Sequence, residues 1–321
     1  MGAEKVVQVT FVSAFTYVKW ARLFIAYRRK VSMKFRNYRE EDYQALCDFL
    51  IEINKDNKNH INWNWARFEW MYEHPEFDKS SKHLIGLWEN DGEIVGAAIY
   101  DMYFGEAFCG VLPEYDSIFP EILEYTYNEL KDDSGIGIAF CDDNIREIEM
   151  ATKNGFTIAD QTESIMRFDL NKPFSAELPN EFQFYELDPV EEPYAFQWLL
   201  WQGFDHGEDK SEFEREDEII PQARKHLNKK LSVAAINKEG EKVAYCCLWY
   251  CDKTDYVYVE PVCTIPSYRG KGISKAVIYE ALNRAKALGA KQAYVISDME
   301  YYEKLGFEKD VHFTFYWRTN E

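Results

Sequence analysis

The stretch Tyr256-Val257-Tyr258-Val259-Glu260-Pro261-Val262-Cys263-Thr264-Ile265-Pro266-Ser267-Tyr268-Arg269-Gly270-Lys271-Gly272-Ile273-Ser274 runs from an apolar strand through a glycine-rich turn into a helix. The strand is expected over 256–265. The helix is expected over 274–288, because Ile273, Val277, Ala281, Ala285 and Leu288 recur at the spacing of one buried face and Gly289 supplies a stop. Gly270 and Gly272 let backbone amides approach a ligand closely, and a helix N-terminus adds unpaired N–H groups and a favourable dipole. Together these features suit a pyrophosphate. The spacing is not that of a Walker A loop, which needs Gly-x-x-x-x-Gly-Lys-Ser/Thr, nor of the dinucleotide fingerprint, which needs a third glycine.

Outward from this stretch, 231–236 and 242–249 flank the turn Lys238-Glu239-Gly240-Glu241 and read as a β-hairpin, and 293–296 reads as a short buried strand. The same landmarks occur earlier in the chain. Tyr38 and Tyr185 lie 147 residues apart, the hairpin glycines Gly92 and Gly240 lie 148 apart, and Gly155 and Gly306, each followed by Phe, lie 151 apart. Residues 33–170 and 181–321 are therefore expected to be two copies of one α/β (α+β) fold. Each would be a mixed, mostly antiparallel sheet flanked by helices, with 171–180 as the linker. The segment 1–32 carries six Lys and Arg against Glu4 alone and reads as a basic extension outside the fold. Its apolar part is too short for a membrane span.

A length of 321 residues leaves room for two domains of ~150. A hydrophobic content of 46% with only 10 prolines excludes a disordered chain. The net charge of −19 argues against a general affinity for nucleic acid and against stable membrane association, so an anionic ligand would need placed amides and a few cations. Seven cysteines without a Cys-x-x-Cys pair read as reduced residues of a cytoplasmic protein, and six scattered histidines suggest no metal site.

Arg269-Gly-Lys-Gly-Ile-Ser274, set between an apolar strand and an amphipathic helix, resembles the acyl-CoA loop of the GNAT N-acyltransferase superfamily. Arg269 and Gly272 match that pattern, while Ser274 stands where the family has Gly or Ala. Tyr301-Tyr302-Glu303-Lys304-Leu305-Gly306-Phe307 resembles the same family's Phe-Tyr-x-Lys-x-Gly-Phe signature. The resemblance covers 181–321 and, more faintly, 33–170, and implies tandem GNAT-like domains. In the first copy, Asp116-Ser-Ile-Phe-Pro-Glu121 replaces the Arg and the glycines, so that copy is expected to be degenerate and not to bind CoA.

The resemblance implies acyl transfer from acetyl-CoA, used as cosubstrate, to a primary amine of a small molecule or peptide by direct attack in a ternary complex. It assigns the pantetheine arm to the backbone of Val262, Cys263 and Thr264, and the pyrophosphate to Arg269, Gly270, Lys271, Gly272, Ile273 and Ser274. Pro261 cannot donate to a strand ladder, so pairing should be interrupted there. Tyr302 matches the family's acid position. Without the resemblance it would read as core, and Tyr301 is expected to point elsewhere. Glu260 is the candidate base, taken to share a strand face with Tyr258 and Val262, with a structural carboxylate as the alternative. The segment 198–218, with Trp201, Phe204, Asp205, His206, Glu208 and Asp209, falls in the family's acceptor-lining region and suits a cationic amine. The aromatic run from Trp63 to Tyr72 reads as a helix buried between the copies, with an acceptor pocket as the alternative. A monomer or homodimer is expected. The competing readings are a CoA-sensing or interaction protein without turnover and a transferase of longer acyl chains.

Overall fold

The computed structural model describes residues 33–55, 58–74, 76–216 and 228–320. The basic extension 1–32 and the end of the expected acceptor segment lie outside these. In the first half, β1 (Lys34–Asn37) leads to α1 (Tyr43–Ile53) and α2 (Trp65–Glu73), then β2 (Gly86–Asn90), β3 (Glu93–Asp101) and β4 (Tyr103–Val111). It closes with α3 (Phe119–Glu129), β5 (Gly135–Cys141), α4 (Ile145–Lys153) and β6 (Thr157–Asp169). The second half repeats this order with β7 (Gln183–Glu186), α5 (Pro193–Gly203), α6 (Lys210–Glu216), β8 (Ser232–Ile236), β9 (Lys242–Tyr250) and β10 (Tyr256–Thr264). It ends with α7 (Ile273–Leu288), β11 (Gln292–Ile296), α8 (Glu300–Lys304) and β12 (Glu308–Thr319).

The strands form one twelve-stranded sheet in the order β1-β2-β3-β4-β5-β12-β6-β11-β10-β9-β8-β7. The halves exchange their last strands. β12 pairs antiparallel with β5 of the first half, and β6 pairs antiparallel with β11 of the second. The two crossed strands pair with each other at the centre, from Glu308 opposite Arg167 to Trp317 opposite Thr157. The sheet therefore does not divide at the linker expected over 171–180. Each half-sheet offers an open edge at β5 or β11, and covering that edge with the other half's long strand leaves no unpaired ladder in the middle. The linker itself is docked through Phe174, whose ring lies 5.1 Å from Phe168 and 5.4 Å from Tyr279.

Helix α7 buries Ile273, Val277, Ala281 and Ala285 on the sheet as the periodicity predicts, whereas Leu288, its last residue, is 41% exposed. Gly289 closes it in the left-handed region at φ +110°. Of the aromatic run, Trp63 lies in a 3-10 turn and Trp65 to Tyr72 lie on α2, which packs on β10 of the second half. The core of the first half accordingly includes Trp249, Tyr256, Tyr258 and Tyr294 of the second.

Candidate active site

Strand β10 pairs with β11 only from Tyr256 to Tyr258, after which the two parallel strands separate. The edge of β10 from Val259 onward is thus open toward β11, while its other edge stays paired to β9. The β9 ladder shifts register between Val259 and Val262, so that Glu260 and Pro261 together stand opposite Cys247. This is the interruption expected at Pro261. It also corrects the expected strand face. Val259 and Val262 pair with Leu248 and Cys246, two residues apart, so Val262 shares the side of Val259 and packs with the α7 core. Tyr258 packs in the first half's core on the opposite side, and Glu260, two residues along the strand, alternates to that side, where the charge of Arg67 pulls its pKa down.

Beyond β10, a turn over Pro266–Tyr268 delivers Gly270 and Gly272 at φ +75° and +79°, a region costly for any residue with a β-carbon. Gly272 is the N-cap of α7 and leaves its first turn without a side-chain cap. Among the described residues, no acceptor takes the backbone N–H groups of Gly270, Lys271, Gly272, Ile273, Ser274 and Lys275. Six donors and the positive end of a sixteen-residue helix therefore face outward together.

A cleft of about 600 Å³ joins this turn to the open edge of β10 and to α8. Of the residues expected to hold a cofactor, Val262, Cys263 and Thr264 line it from the strand. Arg269, Gly270, Gly272, Ile273 and Ser274 line it from the loop, and Tyr302 closes its far end. Lys271 stands outside the lining, with its ammonium 4.7 Å over the Tyr268 ring. Glu260 also lies outside the lining, on the first half's side of the strand. Arg269 is committed within the protein. Its guanidinium donates to Thr264 O at 3.0 Å, to Gly203 O at 2.8 Å and to Asp205 Oδ2 at 3.0 Å, tying the loop to the end of α5. The unclaimed donors of the turn are thus its amides, with Arg269 fixing the turn that presents them.

Sequence reasoning missed three contributors. Gly203 permits α5 to press on β10, since a β-carbon there would sit 2.6 Å from Cys263 Sγ. Among the described residues, the Thr264 hydroxyl, buried in the cleft wall, has no hydrogen-bond partner. Tyr301 does not point away as expected. It lines the cleft, and its hydroxyl donates to Ser274 Oγ at 2.7 Å. Only that bond could have been suspected from the sequence, through the small polar residue at 274 where a glycine or alanine matches the pattern.

Tyr302 is 8% exposed and packs edge-on to Tyr301 and Phe307. Among the described residues its hydroxyl has no hydrogen-bond partner. Burial, with smaller contributions from Cys246, Glu260 and Tyr301, pushes its pKa far above the ordinary tyrosine value, so it keeps its proton at every physiological pH. Burial likewise raises Glu260 to about 7 against the opposing pull of Arg67. A carboxyl that titrates near neutrality can take up and release a proton at working pH. The Cys263 thiol, pushed up to about 12 by burial, remains neutral. Near the cleft, Trp201 packs on His206 with ring centroids 4.9 Å apart, and its buried indole N–H has no partner among the described residues.

Residues 193–307 match the family model described as "Acetyltransferase (GNAT) family". The chain carries a GNAT acetyltransferase domain. Solved structures agree with this at the level of fold. A tandem GNAT protein from the clavulanic acid biosynthesis pathway superposes with a TM-score of 0.58 at 11% identity, covering 90% of this chain and 98% of that one. A GCN5-related N-acetyltransferase from Sphaerobacter thermophilus gives 0.52 at 13% identity, covering 89% and 95%. The N-myristoyltransferase of Saccharomyces cerevisiae, solved with myristoyl-CoA, gives 0.51 at 12%, covering 90% and 80%. No curated protein sequence matches the chain. The fold of the whole chain is therefore that of a tandem GNAT protein, and the family match lies in the second half. The family supports acyl-CoA-dependent N-acyl transfer, with acetyl-CoA as the cosubstrate that GNAT enzymes use. No described helix is long and apolar enough to cross a membrane.

Proposed function

We propose that the second half transfers the acetyl group of acetyl-CoA to a primary amine of a small molecule or peptide, by direct attack within a ternary complex. The observation that carries this reading is one continuous cleft running from unclaimed loop amides, along an unpaired strand edge, to the free hydroxyl of Tyr302. The residues fit the cosubstrate. The amides from Gly270 to Lys275 would hold the pyrophosphate, and the open edge from Val262 to Thr264, with the orphaned Thr264 hydroxyl, would hold the amide-bearing arm. Acyl-CoA supplies an activated thioester carbonyl.

The chain's own groups supply proton handling on the two sides of the separated strands. Glu260 is ionised above about pH 7 and accepts the proton that an incoming ammonium must lose. Once the carbon–nitrogen bond has formed, Tyr302 Oη donates its proton to the sulfur as the carbon–sulfur bond breaks, and the phenolate regains a proton from the newly acylated nitrogen, which loses its second proton in this step. Trp201 with the acids at Asp205, Glu208 and Asp209 supports a cationic acceptor. The seven free cysteines support a reducing compartment such as the cytoplasm, and a monomer or homodimer remains part of the reading.

Tyr302→Phe tests it, because the ring and its packing survive and only the hydroxyl is lost. A screen of amines, peptides and aminoglycosides with acetyl-CoA, following thiol release, identifies the acceptor. With that acceptor, turnover should fall roughly ten- to a thousandfold while CoA affinity by calorimetry stays unchanged. Turnover like the unmodified protein's would remove Tyr302 from the acid role, and no turnover with any acceptor in the unmodified protein would favour a CoA sensor.

A further inference from the structure

Helix α2 belongs to the first half but lies on β10 of the second, and it brings two side chains to the segment around Glu260. Trp70 packs edge-on to Trp249 with ring centroids 6.4 Å apart, and Trp249 donates its indole N–H to Glu260 O at 2.8 Å. The backbone of the candidate base is therefore held by an aromatic pair spanning the two halves. Arg67, one turn earlier, is largely buried on the same side. Its guanidinium donates to Glu163 Oε1 at 2.8 Å and to Asn62 O at 2.6 Å, stands 3.5 Å from Asp101 Oδ2, and lies 4.8 Å over the Phe108 ring. These partners come from β3, β4, the crossed strand β6 and the turn before α2. The cation is thus fixed by the first half from several directions.

The ionisable groups around Glu260 are Arg67 on α2, Cys246 on β9, Tyr258 on its own strand and Tyr302 on α8. Asp101, Glu163 and Glu106 surround Arg67 in turn. Of these groups only Arg67 is a cation. We propose that Arg67 is a positioning residue for Glu260, so that the half without a glycine loop completes the acyl-transfer site of the other. The proposal rests on the reading of Glu260 as the base. Its physical basis is that a carboxyl taken out of water favours its protonated form, whereas a nearby cation favours the ionised form able to accept a proton. Asp101 and Glu163 offset part of the arginine's charge, and so set how strongly it acts on Glu260.

Infrared difference titration of the full chain tests the coupling without an acceptor, with the Glu260 carboxyl band identified by its loss in Glu260→Gln. The unmodified protein should show a midpoint of about 7. Arg67→Met should move it up by about one unit or more, and Glu163→Gln, which deletes a neighbouring anion, should move it down. With an amine found by the screen, the acid limb of kcat/KM should move in the same directions, whereas loss of a merely structural arginine would lower the rate without moving the limb. An unmoved midpoint in either folded variant overturns the proposal, and if Arg67→Met fails to fold, Glu163→Gln decides alone. Full turnover by Glu260→Gln overturns the base reading and the proposal with it, even where the midpoints shift, so the two failures are distinguishable.

Discussion

Residues 113–122 and 266–275 occupy equivalent places, each leaving a nine-residue strand and entering a helix on the same side of the sheet, yet they end in opposite states. In the first half a 3-10 turn over Pro113–Ile118 runs straight into α3, whose N-cap Ile118 is right-handed at φ −93°. Asp116 in that turn is paired with Arg146, and Glu114 and Glu121 add negative charge. In the second half two glycines at positive φ break the path, and six amides remain unclaimed. The difference extends to packing. Ile53 ends α1 and fits over Gly110, the eighth residue of β4, where a β-carbon would lie 2.7 Å from Ile53 Cδ1. Gly203 ends α5 and accommodates Cys263, the eighth residue of β10. Large and small have changed sides at one helix–strand contact, and Trp63 and Phe108, 5.6 Å apart, fill the space beside it in the first half. Ala107 stands fifth in β4 where Glu260 stands fifth in β10, and Ala151 stands four before Gly155 where Tyr302 stands four before Gly306. One plan thus yields a filled copy and an open copy, and a site requires the loop, the gap and the proton carriers together.

The sharpest way to break this comparison is Arg269→Glu, which removes the tie to Gly203, Thr264 and Asp205 and sets a carboxylate against Asp205 beside the loop amides. CoA affinity by calorimetry should fall roughly ten- to a hundredfold, on the scale of charge-assisted hydrogen bonds. Undiminished binding would mean that the turn holds its shape without the arginine. A smaller effect is expected from Gly272→Ala, since open space surrounds the position and only the backbone angle of +79° is opposed. A loss of about five- to thirtyfold in CoA affinity corresponds to ~1–2 kcal/mol for a non-glycine residue held left-handed. An unchanged affinity would show that the amides reach the ligand from another backbone conformation. The smallest effect should come from Asp116→Arg, because a charge change without glycine dihedrals or an open gap creates no site. Calorimetry should still return one CoA per chain, and a second equivalent would overturn the contrast between the copies.

The repeat, the loop and the helix after it were legible because they rest on local physics. Glycine at 270 and 272, proline at 266 and apolar spacing in 273–285 act within a few residues, and the register break at Pro261 follows from a missing N–H. The same logic identified the first copy's loop as lacking those features. Reading Glu260, Tyr258 and Val262 as one face failed for a reason just as local. Strict alternation ignores the extra residue that a bulge inserts, and that residue turned Val262 to the other side.

What the tertiary structure alone decided is every relation that depends on distant partners. The exchange of β6 and β12 has no local signature, since either strand could have paired with the β5-type edge of its own half. Only the assembled sheet selects the crossing that leaves no unpaired edge between the two halves. Arg269 turning inward to Asp205 and Gly203, Tyr301 reaching Ser274, and the helix of Arg67 packing on the strand of Glu260 join residues 64, 66, 27 and 193 positions apart. The sequence by itself determined that one half presents a glycine turn with unclaimed amides and the other does not, because backbone angles and charge are properties of the residues in the turn. The electrostatic setting of Glu260 was decided by folding, because burial and the approach of a cation exist only once the two halves have closed on each other.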